Sequence, residues 1–329
     1  MAFTGLLALA LLLGGCGATG GETDLGQASD DSLLPPVTAE ASGGADGSPT
    51  STTAPEAAAD TPARTAELVP DLPDDPAGFA EQLAEAEAIV RDPDAMDAEV
   101  TAAARLQQVA YRELAARAEW HQPVVAALPA ELRSAAEHNV AARLEFTSMN
   151  VNPPEDVPAW RIVPPAPADD LLDHYQEGEA EFGVEWEYLA AINLVETGIG
   201  RIRGDSSAGA QGPMQFIPST WARWGEGDIQ DPHDSILAAA RYLASNGGGT
   251  GNIDGALFNY NNDVRYVRGV TAYARVLQED PAAFRGFHQW QIWYASAAGD
   301  LVLPEGYHLT APQPAAQYAT DHPTRLRTP

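Results

Sequence analysis

The chain has 329 residues, 45% of them hydrophobic, which leaves room for one or two packed domains plus non-globular segments. It carries 47 acidic residues against 18 basic ones, and every basic residue is Arg, so the formal net charge is −29. Phosphate repels such a chain, which argues against a nucleic-acid partner, and the single cysteine, Cys16, excludes an intramolecular disulfide.

In chain order, the first element is the apolar run LLALALLL at residues 6–13, followed by Gly14, Gly15 and Cys16. Eight strongly apolar residues are too few to span a bilayer as a mature helix but suit a signal-peptide h-region. Leu13-Gly14-Gly15-Cys16 resembles the bacterial lipoprotein signal, in which the Cys is lipidated and becomes the first mature residue. The resemblance implies an extracytoplasmic protein anchored through Cys16 to the outer face of the cell membrane. Ordinary secretion to the cell wall is the alternative. Residues 17–75 are Gly, Ser, Thr, Ala, Pro and acid, without an apolar period. That composition reads as a disordered tether.

Residues 76–149 are rich in Ala, Glu, Arg and Leu. Leu83, Ala86 and Val90 mark one helix, and Val100, Ala103, Leu106, Val109 or Ala110, and Leu114 a longer one. A third stripe, Leu132, Ala136, Val140 and Leu144, runs from about Pro129 to Ser148, with Pro93, Pro123 and Pro129 as breaks. This reads as a small helical unit. Residues 150–168 are proline-dense and read as a linker, or as a strap over the next domain. Residues 169–307 hold five of the seven Trp and show short helices with Gly-rich loops and no alternating β pattern, so a compact, mainly α domain is expected. Residues 308–329 have no period and read as a tail.

The chemistry concentrates in the domain at 169–307. In WEYLAAINLVET, residues 186–197, Trp186, Leu189, Ala190, Asn193 and Glu196 share one helical face. Glu196 is therefore expected half-buried at a helix end, with its proton affinity raised, as a general acid needs. The bland alternative is a structural Glu paired with Arg201 or Arg203. Next comes GPMQFIPSTW, residues 212–221, whose two prolines forbid a continuous helix or a central strand and imply a fixed, extended segment. A helix with Asp231 as cap and Pro232 in its first position follows, then a segment with Tyr260 and Asn261.

Four landmarks stand in order: Glu196-Thr197; Gly212-Pro213-Met214-Gln215; Ala239-Ala240-Arg241-Tyr242-Leu243; and Tyr260-Asn261. Together they resemble the lytic murein transglycosylases over about residues 169–280, and Phe216-Ile217-Pro218-Ser219-Thr220-Trp221 after the Gln resembles the form in secreted actinobacterial members. Thr197 stands where the family has Ser, and Asn259 where it often has Ala. The resemblance implies a goose-lysozyme-like fold and cleavage of the β-1,4 bond between N-acetylmuramic acid and N-acetylglucosamine, with a 1,6-anhydro product. It further implies Glu196 as the single acid and base. Thr197, Met214, Gln215, Tyr260 and Asn261 would line the substrate groove, with Met214 offering an apolar face to a sugar. Tyr242 is expected to pack beneath the site.

Phe216 and Ile217 are read as core plugs. Trp221, Trp224, Trp290 and Trp293 would pack in the core or stack on sugars. Peptidoglycan strands are the expected partner, with no cofactor. If Asp205 instead activated water, the protein would be a muramidase of lysozyme type; a catalytically silent peptidoglycan-binding scaffold is the reading from another class. Gly198 to Gly204 and Gly247 to Gly251 lack the strand and spacing of nucleotide loops. The seven His show no ligand pair at helical or turn spacing, so no metal site is expected.

Overall fold

In the computed structural model, which describes residues 68–327, the first helix begins where the acidic linker gives way to an Ala- and Leu-rich period. Asp75 caps it, its carboxylate accepting from the amides of Ala77 and Gly78. Such a cap is worth about 1 kcal/mol. The segment ending at Cys16, and the linker up to residue 67, lie outside the described residues.

Helix α1 (Pro76–Arg91) buries Phe79, Leu83, Ala86 and Val90. Helix α2 (Asp97–Ala116) buries Val100, Ala103, Val109, Ala110 and Leu114. Both match the apolar spacing. A short helix, α3 (Ala118–Ala127), contains Pro123, which the sequence marked as a break. Trp120 meets Phe79 edge-on at 5.7 Å, and Val124 and Val125 are buried, so packing outweighs the one backbone bond that proline removes. On α4 (Ala130–Met149) the stripe drifts. Each four-residue step overshoots a turn by about 40°, so Leu144 lies about 120° from Leu132 and is 49% exposed. Phe146 takes its place in the core.

The helical unit shares one core with the helices that follow. These are α5 (Ala168–Phe182), α6 (Trp186–Thr197), α7 (Pro218–Trp224), α8 (Pro232–Ser245), α9 (Ile253–Tyr260), α10 (Val264–Glu279) and α11 (Phe284–Gln289). Helix α4 lies along α10. Phe146 stacks on Tyr273 at 5.9 Å and meets Tyr266 edge-on at 6.4 Å. Gly269 makes room for it, since a Cβ there would overlap the Phe146 ring. Arg91 pairs with Asp280 at 2.7 Å, and buried Arg112 and Arg143 both flank Asp300. Helix makes up 62% of the described residues, so the mainly α expectation holds.

The proline-dense segment is a strap rather than a free linker. Strand β1 (Asp156–Val157) pairs with β6 (Gln313–Pro314), and β2 (Arg161–Ile162) with β3 (Ile202–Arg203), placing Ile162 opposite Ile202. The expected tail is folded as far as residue 327. It supplies β6, α12 (Ala315–Asp321) with Tyr318 buried, and β7 (Leu326–Arg327). Strand β7 completes an antiparallel sheet with β4 (Ile292–Ser296) and β5 (Gly299–Leu303) in the order β4-β5-β7. These strands show no alternation because both faces are covered. Ile292, Tyr294, Leu301 and Leu303 enter one apolar cluster, and Trp293 and Val302 enter another.

Candidate active site

Helix α6 carries Glu196 into the middle of the molecule. Every residue from Tyr188 to Thr197 is buried, because α5, α8 and α10 pack around the helix. The single apolar face read from the sequence is therefore a helix enclosed on all sides, and Glu196 is 2% exposed rather than half-buried. Burial removes water from the carboxylate and pushes its pKa up to about 8. One hydrogen bond works the other way: the Tyr266 hydroxyl donates to Glu196 Oε1 at 2.8 Å. The alternative of a structural ion pair is not what forms. Arg201 donates to the His288 carbonyl at 2.8 Å and Arg203 to the Gln230 carbonyl at 3.2 Å. Among the described residues no Arg or His forms a salt bridge with Glu196.

The backbone just after Glu196 is under strain. Gly198 adopts φ 57° at the helix end, and Ile199, a β-branched residue, follows at φ 62°. Such a residue in the left-handed region costs of order 1–3 kcal/mol and is held only by its surroundings. Ile199 is 1% exposed, and the Thr197 hydroxyl accepts from the Gly200 amide at 2.9 Å.

The same hydroxyl donates to the Pro213 carbonyl at 2.6 Å, and Asn193 Nδ2 donates to that carbonyl at 2.9 Å. Asn193 Oδ1 is held by the Tyr175 hydroxyl at 2.7 Å. Helix α6 thus grips the loop at 212–216 directly. The Tyr260 hydroxyl donates to the Met214 carbonyl at 2.5 Å, and Gln215 Nε2 to the Gly212 carbonyl at 2.9 Å. Three consecutive carbonyls are each spoken for.

The loop is a tight turn, not the extended segment that its prolines suggested. Gln211 and Phe216 exchange two backbone hydrogen bonds at 2.9 Å, and Pro218 begins α7. Proline is tolerated in a first helical turn, where its missing N–H has no partner to lose. Gly212 is required at the turn: its φ is 73°, and a Cβ would overlap the Ile229 carbonyl oxygen. Gln215 adopts φ 50°, a second left-handed non-glycine residue in the same site.

Several expected groove residues therefore have other tasks. Met214 has no exposed surface, so its side chain packs in the core instead of facing a sugar. Thr197 is likewise enclosed, and its hydroxyl ties the loop to α6. Tyr260 is buried and spends its hydroxyl on the loop backbone. Gln215 and Asn261 are different. Both are buried, yet Gln215 Oε1 and Asn261 Nδ2 have no hydrogen-bond partner. Gln215, Phe216, Thr220, Tyr242 and Tyr260 line a small cavity. Phe216 is a core plug, as expected. Tyr242 is half-buried, its hydroxyl on the Asn259 carbonyl at 2.7 Å.

Trp290 and Trp293 belong to the core, whereas Trp221 and Trp224 stay half-exposed beside Phe216 and Tyr242. Asp205 is exposed and accepts from Gln211 Nε2 at 3.3 Å. Tyr266 escaped the sequence reading. Its signal would have been that a tyrosine on the inner face of an amphipathic helix needs a partner for its hydroxyl.

The family described as Transglycosylase SLT domain matches residues 173–280. That segment is similar to an SLT transglycosylase domain. A membrane-bound lytic murein transglycosylase F from Thiobacillus denitrificans (strain ATCC 25259 / T1) is 39% identical over 75 residues, 23% of this chain. The chain spans only 16% of that relative's length. No solved structure matches the chain. The matched region begins inside α5 and ends just past α10, so it contains Glu196, the 212–216 loop and Tyr266, but not the helical unit or the β4-β5-β7 sheet.

Proposed function

We propose that this protein is a lytic transglycosylase that cleaves the MurNAc-GlcNAc bond of peptidoglycan. The observation that carries the reading is Glu196: buried, bonded to Tyr266, paired with no cation, and holding its proton to about pH 8. A carboxyl in that state is a general acid at neutral pH.

In the proposed reaction, protonated Glu196 gives its proton to the glycosidic oxygen as the C1–O bond breaks, and GlcNAc leaves as an alcohol. The substrate's N-acetyl oxygen supports the positive charge at C1. Glu196, now a carboxylate steadied by the Tyr266 hydroxyl, takes the proton from the muramoyl 6-hydroxyl. That oxygen forms the new bond to C1. The product is a 1,6-anhydro sugar, no water is consumed, and the enzyme's proton is restored. Gln215 Oε1 and Asn261 Nδ2, buried without partners, would meet acetamido or hydroxyl groups of the glycan. Thr197, Met214 and Tyr260 would act by holding the wall in place. Two carboxylates are usual in glycosidases, but one suffices when the substrate supplies the nucleophile.

Cys16 would carry the lipid anchor and the acidic linker would let the folded body reach the wall, consistent with the membrane-bound name of the relative. The described residues contain no helix long and apolar enough to cross a membrane.

Mass spectrometry of fragments released from purified murein tests the proposal, with Glu196→Gln as control. Anhydro-ended muropeptides, lighter by one water than hydrolysis products and absent with the control, are expected. Full-mass reducing ends would instead establish a muramidase and turn attention to Asp205. Retained murein binding without release would leave a scaffold.

A further inference from the structure

The fold assembles a second group of side chains that the proposed chemistry does not use. His174 and Glu177 stand one turn apart on α5, and His233 is the second residue of α8. One ligand atom from each lies within 4.8 Å of the others. His233 Nε2 is 3.0 Å from Glu177 Oε2. The rings of His174 and His233 meet edge to face, centroids 4.9 Å apart. On its far side, His233 Nδ1 faces Asp234 Oδ1 at 3.4 Å. Asp234 is itself fixed: its Oδ2 accepts from the Asp228 amide at 2.8 Å, and its own amide donates to Asp231 Oδ1 at 3.1 Å.

We propose that His174, Glu177 and His233 form a surface site for a divalent transition-metal ion of the zinc type, with solvent in the remaining coordination position.

Two imidazoles and one carboxylate are a recognised three-residue donor set for zinc. Calcium and magnesium would ask for more oxygen ligands. Zinc bonds of about 2.0–2.1 Å require the donor atoms to sit close together, and rotation of exposed side chains closes the present spread. Asp234 supports the assignment independently. A carboxylate behind the distal nitrogen of a ligating histidine fixes the tautomer that turns the other nitrogen's lone pair toward the metal. Asp231 and Asp234 also stand near His233, but that set offers one imidazole instead of two, and one Asp231 oxygen already caps α8. A charged His233 bridging Glu177 and Asp234 would account for those two contacts, but not for the His174 ring set against it.

The ion would tie α5 to the start of α8. The segment leading into α8 carries Ile229, whose carbonyl packs against Gly212 of the catalytic loop. The site would therefore brace that loop from behind and take no part in glycan chemistry.

The test uses the full chain stripped with a chelator, and zinc alone as the probe. Calorimetric titration should show saturable binding of one zinc per chain. Thermal unfolding should show a Tm that climbs with zinc concentration. His174→Ala, a change at a partly exposed position, should abolish both effects. Asp234→Asn should weaken binding roughly 10–100-fold. Cobalt in place of zinc should give visible absorption bands of a four-coordinate ion, absent in His174→Ala. The assignment is overturned if zinc does not bind saturably, if His174→Ala binds it as the unaltered chain does, or if Cys16→Ser alone removes the binding.

Discussion

Replacing Glu196 by Gln should stabilise the protein, and by an amount that grows with pH. The Glu196 carboxyl has its pKa raised from an ordinary 4.5 to about 8 by burial. Below pH 4.5 both the folded and the unfolded chain hold this proton, and the carboxyl carries no penalty. Between 4.5 and 8 the folded chain keeps a proton that the unfolded chain has released, so rising pH draws the equilibrium toward unfolding. Above 8 the folded chain holds a buried charge and the loss is complete. The difference of 3.5 units, at about 1.4 kcal/mol each, sets a ceiling on the order of 5 kcal/mol. Gln is neutral at every pH, nearly the same size, and still offers Tyr266 an acceptor. The Glu196→Gln protein should therefore match the original near pH 5 and exceed it increasingly toward pH 9. At roughly 2–4 °C per kcal/mol for a body of this size, the Tm gap should open to at most ~10–20 °C. Thermal unfolding of both proteins across that range, followed by circular dichroism, measures it, and the other carboxylates cancel in the difference. A gap that stays flat with pH would mean that Glu196 ionises as freely in the fold as in the unfolded chain. The acid role argued from its burial would then fall.

The same group sets the rate profile: kcat/KM on murein should fall about tenfold per pH unit above pH 8, as the acid form is lost. Tyr266→Phe removes the bond that favours the ionised carboxyl, so this alkaline limb should move up, and kcat should drop roughly 10–100-fold because the charged intermediate loses its donor. An unchanged limb would count against the Tyr266 contact. Gly212→Ala forces a side chain against the Ile229 carbonyl at a positive φ; chemical denaturation should register a loss of at least about 1–3 kcal/mol, with activity falling further than stability. Asp300→Ala leaves Arg112 and Arg143 buried beside each other without their shared partner and should cost about 3–5 kcal/mol in urea unfolding. A loss under 1 kcal/mol would show that water reaches those guanidinium groups.

Local chemistry is what could be read from the chain itself. The cap at Asp231 with Pro232, the periods of α1 and α2, the end of α6 at Gly198, and the order of the four landmarks around Glu196 depend on neighbours within a turn or two. The core role of Phe216 was legible for the same reason. What failed was long in range. Met214 looked like an exposed sugar platform until the fold closed over it, and Thr197 looked like a substrate contact until its hydroxyl met Pro213. Residues 308–327 looked like a tail because β7 finds its partner in β5, about 25 residues earlier in the chain, and gains its order only there.

Tyr266 reaches Glu196 across 70 residues, and His233 reaches Glu177 across 56. Neither pair leaves a spacing that a linear reading can detect. The sequence by itself determined several of the helices, α1, α2 and α8 among them, and which glutamate stands at a helix end, because hydrogen bonding within a turn and side-chain periodicity act locally. Tertiary structure alone decided that this glutamate is sealed from water, that a tyrosine holds it, and which polar atoms are left without partners. Burial and desolvation depend on what distant segments pack against a residue, and no local pattern carries that information.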